Sequence, residues 1–133
     1  MKLLLDTCSA LWALQDSGQL SAPARRALKN PDNSVSVSVV SFWEISLKSG
    51  LGKLALHGAE PEDFPRFVVE AGWSILPISE EIAASSGRLP RLAEHRDPFD
   101  RLLIWTAINE GFALVSGDDD FPAYAPHGLK ICW

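Results

Sequence analysis

Five acidic residues stand where a fold could gather them: Asp6, Glu44, Asp97, Asp100 and Asp118. Asp6 closes the apolar run that begins at Lys2, and Glu44 lies about one helical turn beyond the valine-rich stretch Ser34 to Val40. Asp97 and Asp100 are three residues apart in DPFD, and Asp118 follows the apolar run Phe112 to Ser116 in the string SGDDDF. Carboxylates brought close together repel one another and hold protons more tightly, unless a cation joins them. An all-oxygen environment suits hard divalent ions such as Mg2+ or Mn2+. The chemistry of such ions is phosphoryl chemistry, in which water is activated and a leaving oxygen is stabilised.

Each acid also has a purely structural reading. Asp6 ends a strand, where a turn residue is ordinary, although apolar surroundings make a lone charge costly. Glu44 completes S-x-x-E from Ser41, the pattern of a capping box. Asp97 precedes Pro98 and is the expected N-cap of its helix, a role that outweighs a ligand role at that position. Asp100 shares a helical face with Asp97 and could merely favour the positive helix end. Asp118, Asp119 and Asp120 could be a solvated loop, and only Asp118 is placed by a strand end. Among the basic residues, Lys48 lies four after Glu44, so a helix-surface pair is its first reading and a phosphate contact its second. His95, Arg96 and Arg101 flank the acidic pair, and Arg101 could grip a phosphate or a neighbouring carboxylate in bidentate fashion. His57 and His127 lack partners at ligand spacing.

These residues need elements to position them. Strand patterns fall at Lys2 to Leu5, Ser34 to Val40, Trp73 to Ile78, Phe112 to Ser116 and Leu129 to Cys132. Helical patterns fall between them: Ser9 to Gln15, Ser21 to Asn30 with Ser21 as N-cap, Ser41 to Gly50 with a further turn from Leu51 to Leu56, Glu60 to Ala71, Ser79 to Ser86, and Asp97 to Glu110 stopped by Gly111. Arg88 to Arg96 reads as a basic loop. Strands that are apolar throughout and joined by helices indicate a parallel sheet covered on both faces. The expected architecture is a three-layer α/β/α sandwich with an open, mainly parallel five-stranded sheet. In such sheets ligands bind beyond the carboxyl ends of the strands, where the acids are placed.

Composition sets the outer limits. The chain has 133 residues, 47% of them hydrophobic, which suits one domain over 1–133 with a sizeable core. No apolar run approaches the ~20 residues of a membrane span, and MKLLLD is too short for a secretory leader. Cys8 and Cys132 are the only cysteines and form no C-x-x-C, so neither a disulfide framework nor a zinc cluster is expected. The expected setting is cytoplasmic. Twelve basic against seventeen acidic residues leave a net charge of −5, which argues against a grip on long duplex nucleic acid.

The segments LLLDTCSALWAL, VVSFWEISLKSGLGKL, HRDPFDRLLIWTA and ALVSGDDDF resemble those of the PIN-domain ribonucleases, and more narrowly the VapC-type toxins of bacterial toxin–antitoxin modules. The resemblance runs over nearly the whole chain. It implies a five-stranded parallel sheet, Mg2+- or Mn2+-dependent endoribonuclease activity leaving a 5′-phosphate and a 3′-hydroxyl, and a cognate antitoxin through which alone the protein meets DNA. Position by position, Asp6, Glu44, Asp100 and Asp118 fall on the family's acidic quartet, as metal ligands and catalytic residues, with Asp97 an additional acid. Ser116 stands where the family more often has threonine. Lys48, Arg96 and Arg101 would guide single-stranded RNA.

Two other classes compete with this reading. A metal-dependent phosphatase or receiver-like domain also gathers acids at strand ends, but would carry a second acid beside Asp6, where Thr7 and Cys8 stand. A non-catalytic PIN-like binding module would keep the fold, yet the acid set argues for chemistry. The segments Ser9 to Gln15 and Ser41 to Leu56 bear Leu11, Trp12, Leu14, Phe42, Trp43, Ile45, Leu47, Leu51 and Leu54, more apolar surface than one sheet face covers. Part of it is therefore expected to form an exposed groove for the antitoxin, and the chain is expected to form a homodimer.

Overall fold

The computed structural model describes residues 1–92 and 95–133; Ala93 and Glu94, inside the stretch read as a basic loop, lie outside the described residues. Five strands form one sheet: β1 (Lys2–Leu5), β2 (Ser34–Ser38), β3 (Ser74–Leu76), β4 (Ala113–Val115) and β5 (Lys130–Cys132). Their order is β3-β2-β1-β4-β5 and every pairing is parallel. The helices are α1 (Thr7–Leu14), α2 (Ala22–Lys29), α3 (Val39–Gly50), α4 (Phe64–Glu70), α5 (Glu80–Ser85) and α6 (Pro98–Glu110).

Alternation along the central strand sorts the core into two layers. Leu4 joins Leu114 with Phe99, Leu103, Ile104 and Tyr124 on the α6 side. Leu3 and Leu5 join Val35, Val37 and Val115 with Ala10 of α1, Ala24 of α2 and Val68 of α4 on the other side. A smaller cluster of Leu11, Ile45, Leu56 and Phe64 fills the space beneath α3. The expected α/β/α sandwich with a five-stranded parallel sheet is therefore the observed fold.

Several boundaries differ from the sequence reading, and two of the differences change the chemistry. Strand β2 stops at Ser38 rather than Val40, and Ser38 caps α3 by accepting from the N–H of Val40. Glu44 therefore sits in the interior of α3, and the capping box expected between Ser41 and Glu44 does not form. The β-branched pair Val39 and Val40 mimics strand, but the serine hydroxyl ends the ladder first. Helix α1 likewise begins at Thr7 instead of Ser9, because Asp6 accepts from the N–H of Ser9 at 2.7 Å and so acts as its N-cap. Leu51 to Leu56 is not a further helical turn. The Glu60 to Ala71 segment is split into a 3-10 turn (Pro61–Asp63) and α4, and a 3-10 segment at Phe121–His127 was not anticipated.

Candidate functional site

Parallel pairing puts the carboxyl ends of β1, β2 and β4 on one edge of the sheet. The N–H of Asp6 donates to the Val115 carbonyl at 3.1 Å, extending the β1–β4 ladder to the edge itself. Helix α6 enters the sheet through β4, so it runs back across the layer with its N-terminus at the same edge. Four separate chain segments thus deliver Asp6, Glu44, the Asp97/Asp100 pair and Asp118 to one place.

Glu44, Asp97 and Asp100 form the tight group: one carboxylate oxygen from each lies within 4.8 Å of the others. Asp6 and Asp118 stand outside that trio, yet both press electrostatically on Asp100. Burial first, then Asp97, Glu44, Asp118 and Asp6, push the Asp100 carboxyl up to about 8. Burial also raises Asp6, with Asp118 adding to the effect while Ser116 and Ser9 counter it. Burial first, then Asp6, Glu44 and Asp100, raise the neighbouring Cys8 thiol to about 11. Carboxyls held in this state bind either a proton or a cation.

The side chains are positioned individually. Glu44, only 5% exposed, accepts from the Thr7 hydroxyl at 2.6 Å, and Thr7 lies 3.0 Å from the Ser41 hydroxyl. Asp97 divides its two oxygens. Oδ1 caps α6 by accepting from the N–H groups of Phe99 (2.9 Å) and Asp100 (3.1 Å), while Oδ2 faces Lys48 at 3.4 Å. The structural and functional readings of Asp97 are therefore compatible, one on each oxygen. Asp118 is exposed, and its Oδ1 accepts from the N–H of Asp120 at 2.9 Å; its own N–H donates to the buried Ser116 hydroxyl at 3.1 Å. Asp119 and Asp120 are exposed.

Of the basic residues, Lys48 belongs to the site and Arg101 does not. The Lys48 ammonium pairs with both Glu44 and Asp97. Burial lowers the affinity of that amine for its proton, but the contacts with Glu44 and Asp97 outweigh burial and raise it. Arg101, read from sequence as a phosphate or carboxylate grip, is turned inward. Its guanidinium donates to the carbonyls of Leu89 (2.7 Å) and Pro90 (3.0 Å) and is 9% exposed, so its fork is spent on holding the preceding segment against α6. Arg96 is exposed beside the acids. Sequence reasoning passed over Thr7 as a partner of Glu44; its adjacency to Asp6 was the available signal. It also left His95 and Tyr124 unassigned. The His95 ring lies 3.4 Å from Asp100 and 2.7 Å from the Tyr124 hydroxyl.

Hard oxygen donors converging from α3 and the N-terminus of α6, two of them paired with the Lys48 ammonium, fit a divalent cation of the Mg2+ or Mn2+ kind. The fold and this edge define a class, an α/β domain with an acidic centre beyond its parallel strands. The family model for the PIN domain matches residues 3–126, and the chain belongs to that family. Comparison with curated proteins gives no match. Among solved structures, the chain is similar to VapBC2 from Rickettsia felis bound to a DNA fragment from its promoter (18% identity, 98% of this chain and 97% of that one, TM-score 0.62). It is also similar to DNA-bound VapBC from Salmonella typhimurium (19%, 98% and 96%, TM-score 0.63). A third is VapBC-5 from Mycobacterium tuberculosis, a member of the VapBC family of toxin–antitoxin systems (23%, 98% and 98%, TM-score 0.56). At these identities the likeness is one of fold. No helix among the described residues is long and apolar enough to cross a membrane.

Proposed function

We propose that the protein is a Mg2+- or Mn2+-dependent endoribonuclease, the VapC-type toxin of a toxin–antitoxin module, acting in the cytoplasm on single-stranded RNA. The observation that carries the reading is the trio of Glu44, Asp97 and Asp100, whose oxygens lie within 4.8 Å of one another at the carboxyl edge of a PIN-domain sheet. PIN domains are generally nucleases. A divalent ion bound here supplies an activated water and charge neutralisation for an in-line displacement at phosphorus.

The residues of the chain have separable tasks. Asp100 and Glu44 would hold the cation, with Asp6 and Asp118 completing the negative field directly or through water. Thr7 fixes the rotamer of Glu44. Asp97 ties the start of α6 to the cluster, and Lys48 tempers the repulsion between Glu44 and Asp97 while its half-exposed position lets it meet a phosphate. Arg96 lies near the rim, where an incoming RNA backbone passes. The absence of a second acid beside Asp6 favours this reading over a phosphatase or receiver-like one.

Partners follow from the exposed face of α3. Val39, Trp43, Leu47 and Leu51 recur every fourth residue and are all exposed, Trp43 to 62%. Trp43, Leu47 and Leu51 belong to the expected groove, to which the exposed stripe adds Val39, whereas Leu11 and Ile45 are buried. The stripe suits an antitoxin segment, and a homodimer of the chain completes the proposed assembly.

The test is cleavage of single-stranded RNA by the purified protein with Mn2+ or Mg2+, stopped by EDTA. Hydrolysis of phosphate monoesters with RNA left intact contradicts the nuclease reading and favours the phosphatase class.

A further inference from the structure

His95 stands just ahead of α6, with a side chain only 7% exposed. Its ring packs edge-on against Phe121 and Tyr124, with ring centroids 5.6 and 5.4 Å away. Tyr124 is fully buried, and its hydroxyl lies 2.7 Å from His95 Nδ1, its only hydrogen-bond partner among the described residues. On the far side of the ring, Nε2 lies 3.4 Å from Oδ2 of Asp100.

Burial decides which atom carries which proton. A phenol O–H sealed from water needs an acceptor, because leaving it unpaired forfeits its hydration with nothing in return. Here the acceptor is Nδ1, so the tyrosine donates. A neutral imidazole that accepts at Nδ1 carries its proton on Nε2. That N–H points at Asp100, whose carboxylate is an acceptor only in the ionised form that a cation requires.

We propose that His95 is a positioning residue for Asp100: the chain Tyr124–His95–Asp100 fixes the imidazole as the Nε2–H tautomer and sets the rotation in which the carboxylate meets the divalent cation. The role rests on the metal reading above. It is the carboxylate counterpart of the outer hydrogen bonds that orient metal ligands elsewhere, whose loss typically weakens metal binding 10- to 100-fold.

The test uses the full chain and two readouts. In wild type saturated with Mg2+, imidazole 15N NMR should show a protonated Nε2 and an unprotonated, accepting Nδ1 for His95, and Tyr124→Phe should lose this single-tautomer signature. Calorimetric titration with Mn2+ should give at least about tenfold weaker binding for His95→Asn, which reaches Tyr124 but not Asp100. His95→Gln, whose amide reaches the Nε2 position, should recover most of the affinity, a rescue that a merely space-filling role does not produce. If His95→Asn fails to fold, Tyr124→Phe, which removes a single hydroxyl, carries the titration, with a smaller loss in the same direction. An Nδ1–H tautomer in wild type, or a folded variant binding Mn2+ within twofold of wild type, overturns the role alone. Wild type that takes up no Mn2+ overturns the metal reading and this role together.

Discussion

Lys48 and Asp97, forty-nine positions apart in the chain, meet through Nζ and Oδ2 at 3.4 Å while the same ammonium pairs with Glu44. One cation thus tethers α3 to the N-terminus of α6 at the acid cluster. The other oxygen of Asp97 caps α6. This division of labour separates two substitutions at one position. Asp97→Ala loses the cap and should destabilise the metal-free protein by about 1 kcal/mol. Asp97→Asn keeps the cap, so its metal-free melt should stay close to wild type. It replaces the charged oxygen facing Lys48 by a neutral group, and its stabilisation by Mn2+ should fall. Thermal melts of both variants with and without Mn2+ check this; an Asn variant with the full Mn2+ response would reduce Asp97 to a cap.

The apolar stripe on α3 gives a prediction about assembly. Leu47 is 43% exposed, so Leu47→Glu should change the stability of the isolated chain by no more than about 0.5 kcal/mol. The same change places a charge in the proposed antitoxin groove. Co-expression with the cognate antitoxin should give a stable complex for wild type and little or none for Leu47→Glu. Equal recovery of both complexes places the antitoxin elsewhere.

Stability against pH follows from Asp100. Its carboxyl is raised from 3.8 to about 8, so between these values the folded metal-free chain holds a proton that the unfolded chain has released. Stability is therefore greatest at the acidic end of that window and declines as pH rises through about 8. Asp6 is raised as well and contributes with the same sign. Asp100→Asn should flatten the decline. Denaturation midpoints measured across this range without metal check it, and a stability that rises with pH for wild type contradicts the placement of Asp100 among the other acids.

The sheet and the identity of the acids were legible because they depend on local signals. Apolar runs such as Leu3–Leu5 and Ala113–Val115, each followed within three residues by an acid, mark the carboxyl edge of a parallel sheet wherever the helices between them return the chain. The cap at Asp97 and the stop at Gly111, which adopts φ 74°, are equally local. What sequence could not convey is the allocation of partners across long separations. Arg101 sits in the acidic motif DPFDR, yet its direction is set by carbonyls of Leu89 and Pro90 that have no side-chain signature. The start of α3 was misplaced because Val39 and Val40 carry strand propensity, while Ser38 decides the boundary through one hydrogen bond. The link from His95 to Tyr124 crosses twenty-nine residues and becomes visible only when a 3-10 segment brings a buried hydroxyl to the ring.

The claim on which the rest depends is that these carboxylates form one cation-holding cluster, and paired thermal melts of wild type and Asp100→Asn, each with and without Mn2+, test it most directly. Asn keeps the shape and removes the cost of holding Asp100 protonated, or above about 8 charged, among the other acids, so metal-free Asp100→Asn should melt at or above the wild-type temperature. Added Mn2+ should raise the wild-type Tm by mass action and raise that of Asp100→Asn much less. A metal-free Asp100→Asn that melts below wild type and keeps the full Mn2+ response contradicts the cluster.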